Sequence, residues 1–319
     1  MSILHTFYLP AKLKACCAMC MGYLNDLKDT PQIEESKDFD SVKFKDTMAK
    51  LGQILSHDAT KLTLACKPPR QPADAIKMIQ EISNTLFRLL GFYHSIPISA
   101  GRAYLAAYTS LMRGVLQGTH TLCSTFSGDA PTFMIPTAVL WENCAALGKS
   151  PKNNEEAVRK LWIGFEETLK DAKSEAREML NEEEDEDDFE DSEDSEEEEA
   201  KEKPTEDQIA AKKAITEKCV QLTDLTVLIY KKIEVRCLDL GSIEWLDRVS
   251  EHGNNVVDET DVLISQLYEE DADAMTVFVN KHVKQCIDLV KIAQEVAKDE
   301  HAKWFEMCAT KLETLTIKA

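Results

Sequence analysis

Strand-like alternation is hard to find anywhere in these 319 residues, and the motifs that build common active sites are missing as well. There is no G-x-S-x-G, no P-loop and no G-x-G-x-x-G, so neither a nucleophile elbow nor a phosphate cradle is indicated. No cluster of five or more Lys/Arg and no basic stripe occurs. Nucleic-acid binding needs such charge to displace counterions from phosphates, so no direct nucleic-acid partner is expected. No Asn-x-Ser/Thr acceptor is present, and the N-terminal stretch is interrupted by Pro10, Lys12 and Lys14. No uncharged run is apolar enough to span a membrane, so no secretory signal and no membrane partner are expected. A reducing compartment, cytoplasm and nucleus, fits these absences.

Cysteine is not scarce, but its ten positions are scattered: 16, 17, 20, 66, 123, 144, 219, 237, 286 and 308. Most sit at apolar positions of helical patterns, where a free thiol behaves as a small buried hydrophobe. Cys17-Ala-Met-Cys20 is a lone C-x-x-C with Cys16 beside it. A structural zinc site needs four ligands, and no second pair stands at a suitable spacing; the βαβ context of a redox motif is also missing. A cysteine-rich apolar helix face is the plainer reading. A ferritin-like metal site would need Glu three residues before His on inward faces. The residues preceding the seven histidines by three are Ser2, Ile54, Gly91, Gln117, Val249, Val279 and Lys298, and none is Glu. His57-Asp58 resembles an acid–base pair, but adjacent helical residues point apart, so a surface reading is preferred. No catalytic, cofactor-binding or metal residue is assigned, no cofactor is expected, and the chain is read as not an enzyme.

What the sequence does contain is helical periodicity. Phe44, Met48, Leu51, Leu55, Leu62 and Ala65 follow i, i+3/i+4 spacing until KPPRQP stops them. Ile76 to Tyr93 and Tyr104 to Phe126 give two more helices, TAVLWENCAAL a shorter one, and Val158, Leu161, Phe165, Leu169, Ala172, Ala176 and Leu180 a fifth. Gly114 and Gly118 have the spacing that permits close helix packing. Beyond residue 204, Thr205 and Gln208 form a capping-box pattern, and four helices come after it, one of which must tolerate Gly253. Helices of this length joined by short breaks pack as antiparallel bundles.

Between the two halves stands an acidic run. From Glu182 to Glu199 only Phe189, Ser192 and Ser195 are not acidic, so 15 of the 57 Asp+Glu residues lie here and 42 remain against 37 Lys+Arg. The net charge of −20 is therefore mostly local. Such a run reads first as a solvated, self-repelling linker. Ser195 is followed by Glu196, Glu197 and Glu198 at +1 to +3, the context an acidophilic kinase prefers, so Ser192 and Ser195 are candidate phosphorylation sites. The expected fold is all-α, with two antiparallel bundles of about five and four helices. The expected organisation is an extension over 1–40, a bundle over 41–181, a disordered linker over 182–203 and a bundle over 204–319.

SHDATKLTLACKPPRQPADA, residues 56–75, resembles the end of the first helix and the proline turn of the cyclin-D-interacting protein family (the cyclin-D-binding proteins). AVLWENCAALGKSPKNNEEAVRKLW, 138–162, is similar to that family's short helix, proline turn and next helix, and the helix running into an acidic insert agrees as well. The resemblance covers about 42–317 and not the first 40 residues. It implies two helical bundles distantly like talin and vinculin modules, and proteins of cytoplasm and nucleus that bind D-type cyclins and transcription regulators and restrain cell-cycle progression. No family catalytic site comes with it.

A helical protein without a reactive site must act through its surfaces, so a regulatory adaptor binding cyclin-type or transcription regulators is expected. A cytoskeletal role of the talin or vinculin kind is the alternative, as is capture of histones or other basic proteins by the acidic run. In the second half, Ile229 and Ile233 are expected inside, with Asp224 and Lys232 facing solvent or a partner.

Overall fold

The computed structural model describes residues 3–27, 39–128, 132–186, 205–269 and 272–317. Among them are ten α-helices and no strand, so the all-α expectation holds. They divide into two compact units, Met1–Ala157 and Val158–Ala319.

The first unit holds α1 (Ile3–Asp26), α2 (Ser41–Cys66), α3 (Pro72–Tyr93), α4 (Arg102–Ser127) and α5 (Met134–Gly148). Their packing closes a ring: α1 lies on α3 and α4, α3 on α2, α2 on α5, and α5 on α4. Asp40 caps α2, its carboxylate accepting from the amides of Val42 and Lys43 at 3.1 Å each. Proline at the start of α3 supplies a fixed φ where no helical amide bond is lost. α4 begins at Gly101, whose φ of 105° suits glycine. A Cβ there would stand 2.1 Å from the Asn154 side chain, which accepts from the Tyr104 amide at 2.9 Å and so caps α4 from across the unit.

The extension expected over 1–40 is not separate. α1 runs through Pro10, whose ring faces outward, and buries Leu9, Leu13, Cys16 and Cys20 at helical spacing. An apolar stripe of that period needs a partner surface, and the α3/α4 faces supply it.

The second unit holds α6 (Asn154–Glu186, from Val158 on), α7 (Glu206–Arg236), α8 (Ile243–Glu269), α9 (Ala272–Gln294) and α10 (Asp299–Leu315). The expected boundary at the acidic run does not coincide with this division. The apolar stripe of α6 is buried against helices later in the chain. Trp162 stacks on Tyr230 of α7 with ring centroids 4.8 Å apart, and its indole N–H donates to the Tyr230 carbonyl at 3.1 Å. That stripe is also offset from the expected one: Trp162 is buried and Leu161 exposed. The bulkier indole takes the inward position, and α8 makes room with Gly253, where a Cβ would stand 2.9 Å from the Trp162 ring. This explains the glycine inside α8.

α7 starts with the expected capping box, Thr205 and Gln208 each bonding the other's backbone. α7 then buries Ile229 and Ile233 as expected. Asp224 is paired within the unit, 2.9 Å from Lys173 and 2.7 Å from Arg177 on α6. Lys232 is half-buried with its ammonium 5.2 Å from the Trp304 ring centroid, so it lies over an aromatic face and not free in solvent. α8 and α9 are antiparallel, the Trp245 indole donating to the Ile292 carbonyl at 2.9 Å near one end and Lys281 meeting Glu259 at 2.7 Å toward the other.

Candidate interaction surface

α5 is apolar on both sides. One side, Thr137, Leu140, Cys144 and Leu147, repeats at three and four residues and is buried. The other carries Met134, Ile135 and Val139 on the surface, Ile135 at 71% and Met134 at 61% exposure. Only Glu142 brings charge to this helix. Water therefore meets an apolar face that the ring of helices leaves uncovered, and such faces mark interaction sites more often than isolated apolar residues do.

Close contacts hold α5 in place. On the α2 side, Thr63 and Thr137 share a buried hydrogen bond of 3.1 Å, and the Trp141 indole donates to the Thr60 hydroxyl at 3.0 Å. Gly52 lets α2 approach, since a Cβ there would stand 2.7 Å from the Cys144 carbonyl. On the α4 side, Asn143 donates to the Gly114 carbonyl at 2.9 Å, while Gly118 faces Leu140 and Asn143. The small-residue spacing at Gly114 and Gly118 is thus a packing device, as expected. Both neighbours run antiparallel to α5 and fix its rotation, so its outer face is presented on a rigid element.

The residues singled out for chemistry are not brought together. Ser192 and Ser195 lie outside the described residues, as does Phe189; α6 itself continues to Glu186. His57 is exposed while Asp58 is buried, so the surface reading of that pair holds for His57 alone. Burial raises the Asp58 carboxyl above its ordinary range, with Lys61 and His57 opposing. Cys16 and Cys20 are buried on α1, as an apolar face requires, and Cys17 is half-buried with its thiol 3.6 Å from the His120 carbonyl. Among the described residues no three His, Cys, Asp or Glu side chains are grouped to hold a metal ion. No described helix is long and apolar enough to cross a membrane.

One polar chain runs through the second core. Thr226 and the Cys286 thiol are 3.4 Å apart, and Cys286 is 3.4 Å from Nε2 of His282, whose Nδ1 has no protein partner. Burial lowers His282 to about 4 and raises Cys286 to about 12, so at neutral pH both are uncharged. A neutral imidazole and an un-ionised thiol, both sealed from solvent, are poorly placed for acid–base or nucleophilic work.

Sequence reasoning finds α5 only as a short helix. The signal for its outer face is nonetheless present: Met134, Ile135 and Val139 lie off the 137/140/144/147 stripe, where polar residues would normally stand.

The chain is all-α, in two compact units, with an uncovered apolar helix face in the first, and it has similarity to known proteins over part of its length. The sequence model of the family described as Grap2 and cyclin-D-interacting, N-terminal, matches residues 47–182, from within α2 to within α6. The chain is similar to the cyclin-D1-binding protein 1 homolog of Xenopus laevis, 26% identical over 154 residues, which are 46% of this chain and 46% of that protein. The homolog of the same name in Danio rerio is 24% identical over 166 residues, 50% of this chain and 48% of that protein. The matched part thus spans about half the length of these curated relatives. The cyclin-D-interacting family recognised in the sequence is the family these matches support, and α1 lies outside the span of the family match.

Proposed function

We propose that this protein is a non-enzymatic regulatory adaptor that binds cyclin-type or transcription regulators and restrains cell-cycle progression in cytoplasm and nucleus. The observation that carries the reading is the outer face of α5: Met134, Ile135 and Val139 lie exposed within the stretch that matches the cyclin-D-interacting family. The relatives bear the name of cyclin-D1-binding proteins. An amphipathic helix of the partner, laid along α5, would bury its own apolar stripe on this face. The acidic run, which leads from the end of α6 toward α7 in the sequence, gains further negative charge when Ser192 and Ser195 are phosphorylated.

Titration calorimetry with a purified D-type cyclin tests this. Ile135→Asp combined with Val139→Asp is expected to weaken binding at least ~10-fold, about 1.4 kcal/mol, with helical content unchanged. Undiminished affinity in that variant would remove α5 from the interface, and no binding by the unaltered chain would remove the cyclin.

A further inference from the structure

The helices α2 to α5 are tied to one another by polar side chains as well as by packing. Thr63 meets Thr137 at 3.1 Å between α2 and α5, and Asn143 donates to the Gly114 carbonyl at 2.9 Å between α5 and α4. The Tyr93 and Thr109 hydroxyls meet at 2.8 Å near the connection from α3 to α4. Beyond that bond α3 and α4 diverge, and they touch each other less than either touches α1. A groove therefore runs between them, and α1 fills it.

α1 holds this place weakly, for reasons written in its sequence. Its buried stripe is Leu9, Leu13, Cys16 and Cys20, so two thiols stand where leucines would remove more apolar surface from water. Pro10 lies inside the helix, withholds a main-chain hydrogen bond and crowds the turn before it. No acidic residue stands in the first turn and no basic one in the last, while Asp26 sits at the end where the helix dipole is negative. The bond from the Cys17 thiol to the His120 carbonyl of α4 comes from a weak donor. The helix thus depends on the groove more than the groove depends on the helix.

We propose that the α3/α4 groove is a docking site for an amphipathic helix of another protein, and that α1 occupies it as a built-in competitor. The partner helix is apolar at i, i+4, i+7 and i+11, as α1 is at 9, 13, 16 and 20, and has no internal proline. It enters as α1 lifts off, a local opening that costs less than global unfolding. The hydrogen bonds among α2 to α5 stay in place meanwhile. Occupancy by α1 lowers the apparent affinity for the partner in proportion to the fraction of molecules with the groove open. Helices that match α1 no better than α1 itself are thereby turned away. This goes beyond the α5 surface and does not depend on cyclin binding.

The test uses the full chain and a fluorescein-labelled peptide of residues 3–27 carrying Pro10→Ala. Pro10 is exposed, so this change mends the helix and leaves the packed stripe as it is. In fluorescence anisotropy the peptide should bind the unaltered chain at least ~10-fold more tightly than the same peptide with Pro10 retained, and adding Leu13→Asp to it should abolish binding. The full chain carrying Leu9→Asp and Leu13→Asp, its own α1 loosened, should bind the Pro10→Ala peptide at least ~10-fold more tightly than the unaltered chain does. Hydrogen exchange of the unaltered chain gives an arm that needs no variant protein. Amides of α1 should exchange at least ~10-fold faster than those of α2 and α4, and faster still with excess unlabelled peptide, while α2 to α5 keep their protection. Equal affinity of the two chains, no peptide binding to either, or α1 amides as slow as those of α2 would overturn the proposal. So would lost protection throughout α2 to α5 in the altered chain, which would make α1 part of an indivisible core. A dimer by light scattering, with each copy's α1 protected by the other, would give the groove to a second copy and overturn it as well.

Discussion

Each unit builds its core around a cluster of large aromatic residues, but the two clusters are tied down in different places. In the first unit Phe44, Tyr104 and Tyr108 meet where α4 begins, Phe44 and Tyr108 with ring centroids 4.9 Å apart. Residues at the α5–α6 turn hold two of their polar groups, while the buried Tyr104 hydroxyl has no hydrogen-bond partner. The Tyr108 hydroxyl donates to Ser150 at 2.8 Å, and Asn154 holds the Tyr104 amide. In the second unit Trp162 and Tyr230 stack between α6 and α7, and their donors reach main-chain carbonyls, the Tyr230 hydroxyl bonding to Gly253 at 2.5 Å. A cluster at a helix end can be adjusted by loop residues. One whose donors bond the main chain of neighbouring helices depends on how closely the backbones approach, so the second core should be the less forgiving.

The largest effect is expected from Ile229→Asp in the second unit. Ile229 is buried, and a carboxylate there has no partner, a cost comparable to the ~5–15 kcal/mol that stabilises a domain. Circular dichroism melts of the full chain should show that unit unfolded. The full chain is needed, since a fragment starting at 204 would lack Trp162. A near-normal melt would mean the inward face of α7 is misplaced.

Next comes a matched pair. Trp162→Ala should cost ~3–5 kcal/mol, because the cavity lies between helices that cannot readily collapse. Tyr108→Phe, which leaves Ser150 without its donor, should cost ~1 kcal/mol. Equal losses in urea unfolding would break the contrast between the two cores.

A pH series sharpens it. His282 is held at about 4 by burial, below the ordinary 6.5 of the unfolded chain. Below pH 6.5 the unfolded chain gains a proton that the folded one refuses until about pH 4. Stability is therefore intact above that window and falls through it, by up to ~3 kcal/mol in the limit. Unfolding followed by tryptophan fluorescence reports mainly the second unit, which holds Trp162, Trp245 and Trp304. His282→Gln should flatten the profile, and an unchanged slope would contradict the assignment.

The smallest effect is that of Lys232→Glu. Loss of the contact with the Trp304 ring should cost ~0.5–1 kcal/mol, visible as a slight drop in melting temperature. No change would reduce Lys232 to an ordinary surface lysine.

These contrasts also show what the sequence could carry. Local signals were legible: the capping box at Thr205 and Gln208, the stop at KPPRQP, the buried Ile229 and Ile233, and the close-packing role of Gly114 and Gly118. Each depends on residues within a few turns of one another. Features that depend on distant partners were not. The stripe of α6 reads through Leu161 because nothing nearby announces that Gly253, far along the chain, leaves room for Trp162. The same ignorance of partners puts α6 with the first bundle and leaves α1 as an extension, since an apolar stripe says that a helix packs and not on what. The cap of α4 by Asn154 has no local signature at all. The candidate surface on α5 was legible in principle, as apolar residues on the side that packing does not use.

Hydrogen exchange of the full chain, with and without a bound D-type cyclin, tests the central claim most directly. Binding through the first unit predicts slowed exchange across α5, residues 134–148, and along the adjoining turns of α2, with the second unit unchanged. Protection confined to residues 158–317, or none on α5, would contradict it.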